Sequence, residues 1–308
     1  MTSHFSPLEA NVRRIYRHDR QHSFGTKKRY RESCLVFARF AWDEFRLQKF
    51  KNVSDKHIVA FIRHRQEQGT APKTIKNDLA AIRYAHGKSE PRHSISPNED
   101  LARNYGVVLE PTPTVKGNRA WTDIEYNSAL AYAKSNGHQE IAEIIILCRT
   151  MGLRITEAVA VHRSQAEAAL RTGFYLVRNE AKVGMWRALP LSPAAREVFT
   201  ARLENTPRGH RLYVKPHEQT HEAVKRCEEW LNKARRSFET TEGRTLRTWQ
   251  GKVKELTFHG LRYAYVQQRM AELTGEGLSW DAAAEIVSKE IGHRRIYVIK
   301  VYMGGIQG

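Results

Sequence analysis

Glu110 to Asn118 reads Glu-Pro-Thr-Pro-Thr-Val-Lys-Gly-Asn, with two prolines, one glycine and a single aliphatic side chain. Proline fixes φ and lacks an N–H, so neither helix nor sheet runs through such a segment, and an extended linker over 110–118 is expected. The 308 residues thereby divide into two parts. Each is long enough to bury a core.

Ahead of the linker the apolar pattern is helical. Tyr30, Cys34, Phe37, Ala38, Ala41 and Phe45 recur every three or four residues, which predicts an amphipathic helix over Lys27 to Gln48. Ser54 is placed to cap a second helix ending near Gly69. Pro72 sits in the first turn of a third, whose stripe of Ile75, Leu79 and Ile82 stops at Gly87. A short fourth runs from Asn98 to Tyr105. Residues 26–109 are therefore expected to form a helical bundle. Residues 1–25, polar and carrying Arg13, Arg14, Arg17 and Arg20, are expected to form a flexible basic arm.

The second part, 119–308, reads as helical with a small sheet. Thr122 or Asp123 caps a helix to about Lys134, and Ile141, Ile144, Ile145 and Cys148 mark a buried one leading to Arg154. Phe174 to Val177 and Trp186 to Leu189 are β-prone runs flanking Asn179 to Gly184, which predicts a hairpin. Helices are expected near Ala194 to Leu203, Glu222 to Phe238, Arg262 to Leu273 and Trp280 to Glu290. Thr240 to Lys254, with Arg244, Arg247, Lys252 and Lys254, reads as a basic loop.

Lys and Arg number 51 against 33 Asp and Glu, a formal charge of +18. That excess favours a polyanionic partner. On the first helices Lys27, Lys28, Arg29, Lys73, Lys76 and Arg83 gather on polar faces, and with Arg244 and Arg247 they are the candidate DNA-binding residues. A membrane span is not expected, because the longest apolar run, about Ile144 to Cys148, falls far short of the roughly 20 residues a crossing needs. No signal peptide pattern is read at the start, and a cytoplasmic location in a bacterial nucleoid is expected. Cys34, Cys148 and Cys227 are odd in number and far apart, which suggests neither disulfide framework nor thiolate zinc site. His217 and His221 stand four apart, but no third ligand is near at a familiar spacing, so no metal site is expected.

Three segments carry the chemistry: Met151-Gly152-Leu153-Arg154-Ile155-Thr156-Glu157, His259-Gly260-Leu261-Arg262, and His293 followed nine residues later by Tyr302. Each alone says little in a chain so rich in arginine. In this order they resemble the tyrosine recombinase (phage integrase) family, over the last two-thirds of the chain. The resemblance implies a mainly α fold: an N-terminal helical core-binding bundle closing one side of a clamp on duplex DNA, then an α+β catalytic domain with a small antiparallel sheet.

It also implies an activity, site-specific recombination or integration through a 3′-phosphotyrosyl intermediate, with neither metal nor ATP, in a bacterial mobile element or phage. A phosphotyrosine link conserves the phosphodiester bond energy for religation. Tyr302 would be the nucleophile; the competing Tyr297 lies only four residues after His293. A phenol is largely protonated at neutral pH, with an ordinary pKa of about 10, and His259 would accept the proton. Arg154 and Arg262 would clamp the phosphate, each with a planar set of donors and a permanent charge. His293 would donate to the same oxygens, and Glu157 would orient the turn. Lys182, in the expected hairpin turn, would protonate the leaving 5′ oxygen.

The expected partner is double-stranded DNA with inverted-repeat core sites, bound by a homodimer at each site and a tetramer in synapsis, with DNA-bending accessory proteins. Tyr263, Gly260 and Ile291 depart from the family pattern without removing a catalytic group. Six residues follow Tyr302, where many relatives have a longer docking helix, so assembly is expected either to use other surfaces or to reflect a truncated chain. Two other readings stand beside this one. A type IB topoisomerase uses nearly the same groups and would relax plasmid of arbitrary sequence, and a non-catalytic DNA-binding regulator would keep the fold without turnover.

Overall fold

The computed structural model describes residues 5–17, 24–111, 115, 117–178, 186–293 and 295–304. Lys182 and the linker residues 112–114 and 116 lie outside the described residues. The chain splits into two compact units, Met1–Pro113 and Thr114–Gly308.

The first unit is all helical: α1 (Pro7–Arg17), α2 (Phe24–Phe45), α3 (Asp55–Glu67), α4 (Pro72–Gly87) and α5 (Asn98–Tyr105). The stripe on α2 is buried at Cys34, Phe37, Ala38 and Ala41, and it meets Ile75, Leu79 and Ile82 of α4 in one core. Phe37 packs edge-on against Phe50 and Phe61. Pro72 opens α4 as expected, and Gly106 ends α5 in the left-handed conformation.

Where a flexible arm was expected, α1 is an ordered helix. Leu8, Val12 and Tyr16 recur every fourth residue and are all fully buried. The arginines interspersed with them, Arg13, Arg14 and Arg17, mask that stripe in the sequence. Glu9 pairs with Arg39 of α2 at 3.0 Å, and Asn11 Oδ1 accepts from the Phe50 amide at 3.0 Å.

The second unit contains α6 (Asp123–Ser135), α7 (Gln139–Thr150), α8 (Ile155–Val159), α9 (Arg163–Thr172), the hairpin β1 (Phe174–Val177) and β2 (Arg187–Pro190), α10 (Pro193–Glu204), α11 (Thr220–Ala234), α12 (Thr241–Leu246), the short pair β3 (Thr248–Trp249) and β4 (Lys252–Val253), α13 (Phe258–Gly275), α14 (Trp280–Glu290) and α15 (Tyr297–Tyr302). Both strand pairs are antiparallel. Helix α7, buried at Ile141, Ile144, Ile145 and Cys148, is central to the larger core, and a second core joins α13, α14 and α15.

In the hairpin, Tyr175 faces Leu189 and Val177 faces Arg187, and these four are the buried positions. An arginine thus occupies the inner face, where alternation alone predicts an apolar residue. The expected basic loop is also structured. Arg247, taken as a DNA contact, is fully buried, with Nη1 and Nη2 donating to Glu125 at 2.6 and 2.8 Å and Nη2 also to Glu239 at 3.0 Å. Glu125 in turn completes the cap of α6, its carboxylate accepting from the Thr122 amide at 3.0 Å. Arg247 is therefore an internal tie and is withdrawn as a DNA contact.

Candidate active site

Helix α7 ends at Thr150, and the chain must turn back at once. Gly152 makes the turn at φ +59°, and a Cβ there would lie 2.4 Å from the Tyr265 ring. Both the angle and the ring demand glycine. The turn delivers Arg154 to the start of α8, where its backbone amide and its Nη1 donate to Glu157 at 2.9 and 2.7 Å.

Glu157 is the hub of the site. Its side chain is fully buried between Arg154, Arg187, whose Nη1 and Nη2 donate at 3.0 and 2.7 Å, and Arg262 at 3.8 Å. Burial by itself would raise its carboxyl, but the hydrogen bonds and charge of Arg187, with the charges of Arg154 and Arg262, hold it at about 2. Three cations share one carboxylate, which leaves net positive charge for an incoming anion. Arg187 was read only as part of a β-prone run. Nothing local marks it, because its partners are 30 and 103 residues away.

Helix α13 begins with Thr257 as cap, its hydroxyl accepting from the Gly260 amide at 3.2 Å. His259 and Arg262 stand three apart in its first turns, on one face. Arg262 is fully buried, and its Nη1 and Nη2 donate to the carbonyls of Gly152 and Ile291. Burial lowers its pKa to about 10, so it stays cationic at neutral pH. Gly260, where the family pattern often has aspartate, has no room for a side chain: a Cβ would lie 2.4 Å from the Arg119 carbonyl.

The end of α14 sets the remaining histidine. The His293 amide donates to the Ser288 carbonyl at 2.8 Å and the Gly292 amide to that of Lys289 at 3.0 Å, with Gly292 at φ +66°. This is a Schellman closure, and it fixes where residue 293 leaves the helix. Helix α15 then carries Tyr302, which is buried.

Arg262 Nε donates to the Tyr302 hydroxyl at 3.3 Å. The Tyr302 ring lies 4.7 Å from that of Tyr263, 5.7 Å from His259 and 6.1 Å from His293, between centroids. His259 keeps an exposed edge but is crowded by protein on its other sides. That loss of hydration, with the charges of Arg262, Arg119 and Arg154, pushes its imidazole down to about 4. At neutral pH it is uncharged and able to accept a proton.

The structure thus gathers Arg154, His259, Arg262, His293 and Tyr302 in one cluster. Tyr297 is half exposed at the surface, its hydroxyl accepting from Arg295 at 3.0 Å. Among the candidate DNA contacts, Lys28, Arg29 and Lys73 are exposed. Lys76 is half-buried and donates to the Glu110 carbonyl at 3.2 Å, and Lys27 is also half-buried. Arg83 Nη2 is engaged within the first unit, donating to the Ser96 carbonyl at 2.7 Å and to Asn98 at 2.8 Å. Arg244 is exposed and pairs with Glu239 at 2.9 Å. No cluster of three or more His, Cys, Asp or Glu able to hold a metal ion occurs among the described residues.

Residues 14–87 match the phage integrase N-terminal SAM-like domain. A search of curated proteins finds no match. Among solved structures the chain is similar to a lambda integrase dimer bound to a COC′ core site, at 15% identity and TM-score 0.64, covering 98% of this chain and 97% of that one. It is also similar to the Tn1549 transposon integrase in complex with transposon right-end DNA, at 16% identity and TM-score 0.58, covering 97% and 95%. The XerH site-specific recombinase bound to difH in a pre-cleavage complex matches at 14% identity and TM-score 0.59, covering 97% and 82%. The chain therefore carries a phage integrase SAM-like domain and has the fold of the tyrosine recombinases.

Proposed function

We propose that this protein cleaves and rejoins DNA strands as a site-specific recombinase, with Tyr302 as nucleophile and a 3′-phosphotyrosyl intermediate. The observation that carries the reading is the Tyr302 hydroxyl held by a buried guanidinium and bounded by His259 and His293. In-line attack forms the tyrosyl O–P bond as the P–O5′ bond breaks. The phenolic proton passes to His259, whose lowered pKa keeps it free to accept. Arg154 and Arg262 neutralise the charge growing on the non-bridging oxygens, and His293 adds a hydrogen bond. Lys182 supplies the proton to the departing 5′ oxygen. Reversal of the same steps by a different 5′ hydroxyl completes exchange. Reaction on paired sites calls for an assembly of protomers on DNA, as the lambda integrase tetramer bound to a Holliday junction illustrates for that protein.

Covalent capture tests the reading. Nicked duplexes drawn from a randomised pool, in which the short 3′ product diffuses away, should trap wild type as a denaturant-resistant adduct. Tyr302→Phe should bind the selected duplex and trap none. Failure of wild type to capture any sequence, or adduct formation by Tyr302→Phe, overturns it.

A further inference from the structure

We infer that Arg119 is a further DNA-contacting residue of this site, its guanidinium seated on a backbone phosphate flanking the one attacked. The inference rests on the strand-transfer reading above.

The backbone around Arg119 is built into the site. Asn118 Oδ1 accepts from the Ala120 amide at 2.9 Å and from Gln267 Nε2 at 2.9 Å, and the same Gln267 nitrogen donates to the Tyr302 carbonyl at 2.8 Å. A Cβ on Gly304 would lie 2.6 Å from Asn118 Cα, so this segment rests on the turn that follows the nucleophile. On its other side the Arg119 carbonyl fills the space over Gly260, in the first turn of α13. Arg119 is therefore pinned between the two elements that supply His259, Arg262 and Tyr302.

Its side chain, in contrast, is unspent. Arg119 is half-buried, its Nε is buried, and that nitrogen has no hydrogen-bond partner among the described residues. Several other half-buried arginines of this unit sit on carboxylates: Arg149 on Asp123, Arg202 on Glu143, Arg226 on Glu218 and Arg269 on Glu290. A desolvated donor without an acceptor is destabilising, and an anionic ligand removes that penalty. The charge of Arg119 acts on both His259 and Tyr263. Those two rings bound the Tyr302 ring, so this charge is felt by the groups around the reacting centre. Arg154 and Arg262 already share Glu157 and face the attacked phosphate in the scheme above. Arg119 has no such counter-ion among the described residues, and a neighbouring phosphate of the same strand supplies one.

The test is a phosphate-by-phosphate comparison on a captured duplex. Uncharged methylphosphonate replaces each phosphate near the nick in turn, and single-turnover adduct formation is followed for wild type, Arg119→Ala and Arg119→Lys, with thermal denaturation as the folding control. Arg119→Ala should slow adduct formation about tenfold or more at subsaturating DNA, with Arg119→Lys between it and wild type. Wild type should be slowed by neutralisation of one flanking phosphate. Arg119→Ala should be indifferent to that change while staying sensitive elsewhere. If Arg119→Ala reacts at the wild-type rate, or keeps the wild-type sensitivity at every position, the inference is wrong; should Arg119→Ala unfold, the same judgement is made on Arg119→Lys, which should show a weakened response at the one position. A wild type that forms no adduct with any duplex refutes strand transfer itself, an outcome distinct from a normal adduct with no Arg119 signature.

Discussion

At Glu157 three guanidinium groups converge on one carboxylate, and removing that charge should cost more than any single contact. Glu157→Gln leaves Arg187 and Arg262 buried without their counter-ion and should destabilise the fold by about 3–5 kcal/mol at neutral pH, measured by denaturant unfolding. The sign with pH follows from a folded carboxyl near 2 against an ordinary value of 4.5. The contribution is complete above the ordinary value and disappears as pH falls through the folded one. The gap between wild type and Glu157→Gln should thus be flat from pH 8 to about 5 and close below that. His259 is lowered as well, by burial and by the neighbouring guanidinium charges: with its imidazole at about 4, its NMR resonances in the free protein should not move between pH 8 and about 5.5. Arg262→Gln removes the largest charge acting on it and should raise that midpoint. A His259 titration near the ordinary value in wild type would contradict the crowding described here. The five clustered groups were legible in the sequence through the resemblance of their ordered motifs to the tyrosine recombinases, and the turns at Gly152 and Gly292 and the Thr257 cap are the local geometry that delivers them. Arg187 and Arg119 were not readable as members of the site. Their membership comes from contacts with residues distant along the chain.

Among the elements, most helices follow from apolar stripes and capping residues that need no tertiary context. Ser54, Pro72, Thr122 and Thr257 each begin the helix that their chemistry favours. Helix α1 escaped because charge hid its periodicity, and α12 because a run rich in arginine and threonine resembles a loop. Both differences are measurable. Leu8→Ala should cost about 2–5 kcal/mol if α1 packs into the bundle core, and nothing if residues 1–25 are a free arm. Arg247→Met should destabilise the second unit by about 3–5 kcal/mol, because Glu125 stays buried without its cation and Glu239 keeps only Arg244. It should leave the salt slope of DNA binding unchanged. A lower slope at undiminished stability would return Arg247 to the DNA surface.

For the whole molecule the governing quantity is the charge of +18. DNA bound through phosphates releases counterions, so log affinity should fall linearly with log salt, at about 0.9 per phosphate neutralised. Lys28→Ala, Arg29→Ala and Lys73→Ala combined should lower that slope, since these side chains are exposed on the first unit. An affinity indifferent to salt would remove the basis for DNA as the partner. The central claim, that one tyrosine oxygen replaces a deoxyribose oxygen on phosphorus, is tested most directly by locating the DNA-linked residue. Trypsin cuts after Arg295 and Lys300, which places Tyr297 and Tyr302 on different peptides. Mass spectrometry of a digested covalent complex should find the nucleotide remnant on the peptide beginning at Val301, whereas a remnant on the peptide beginning at Ile296, or on any other tyrosine, would contradict the account.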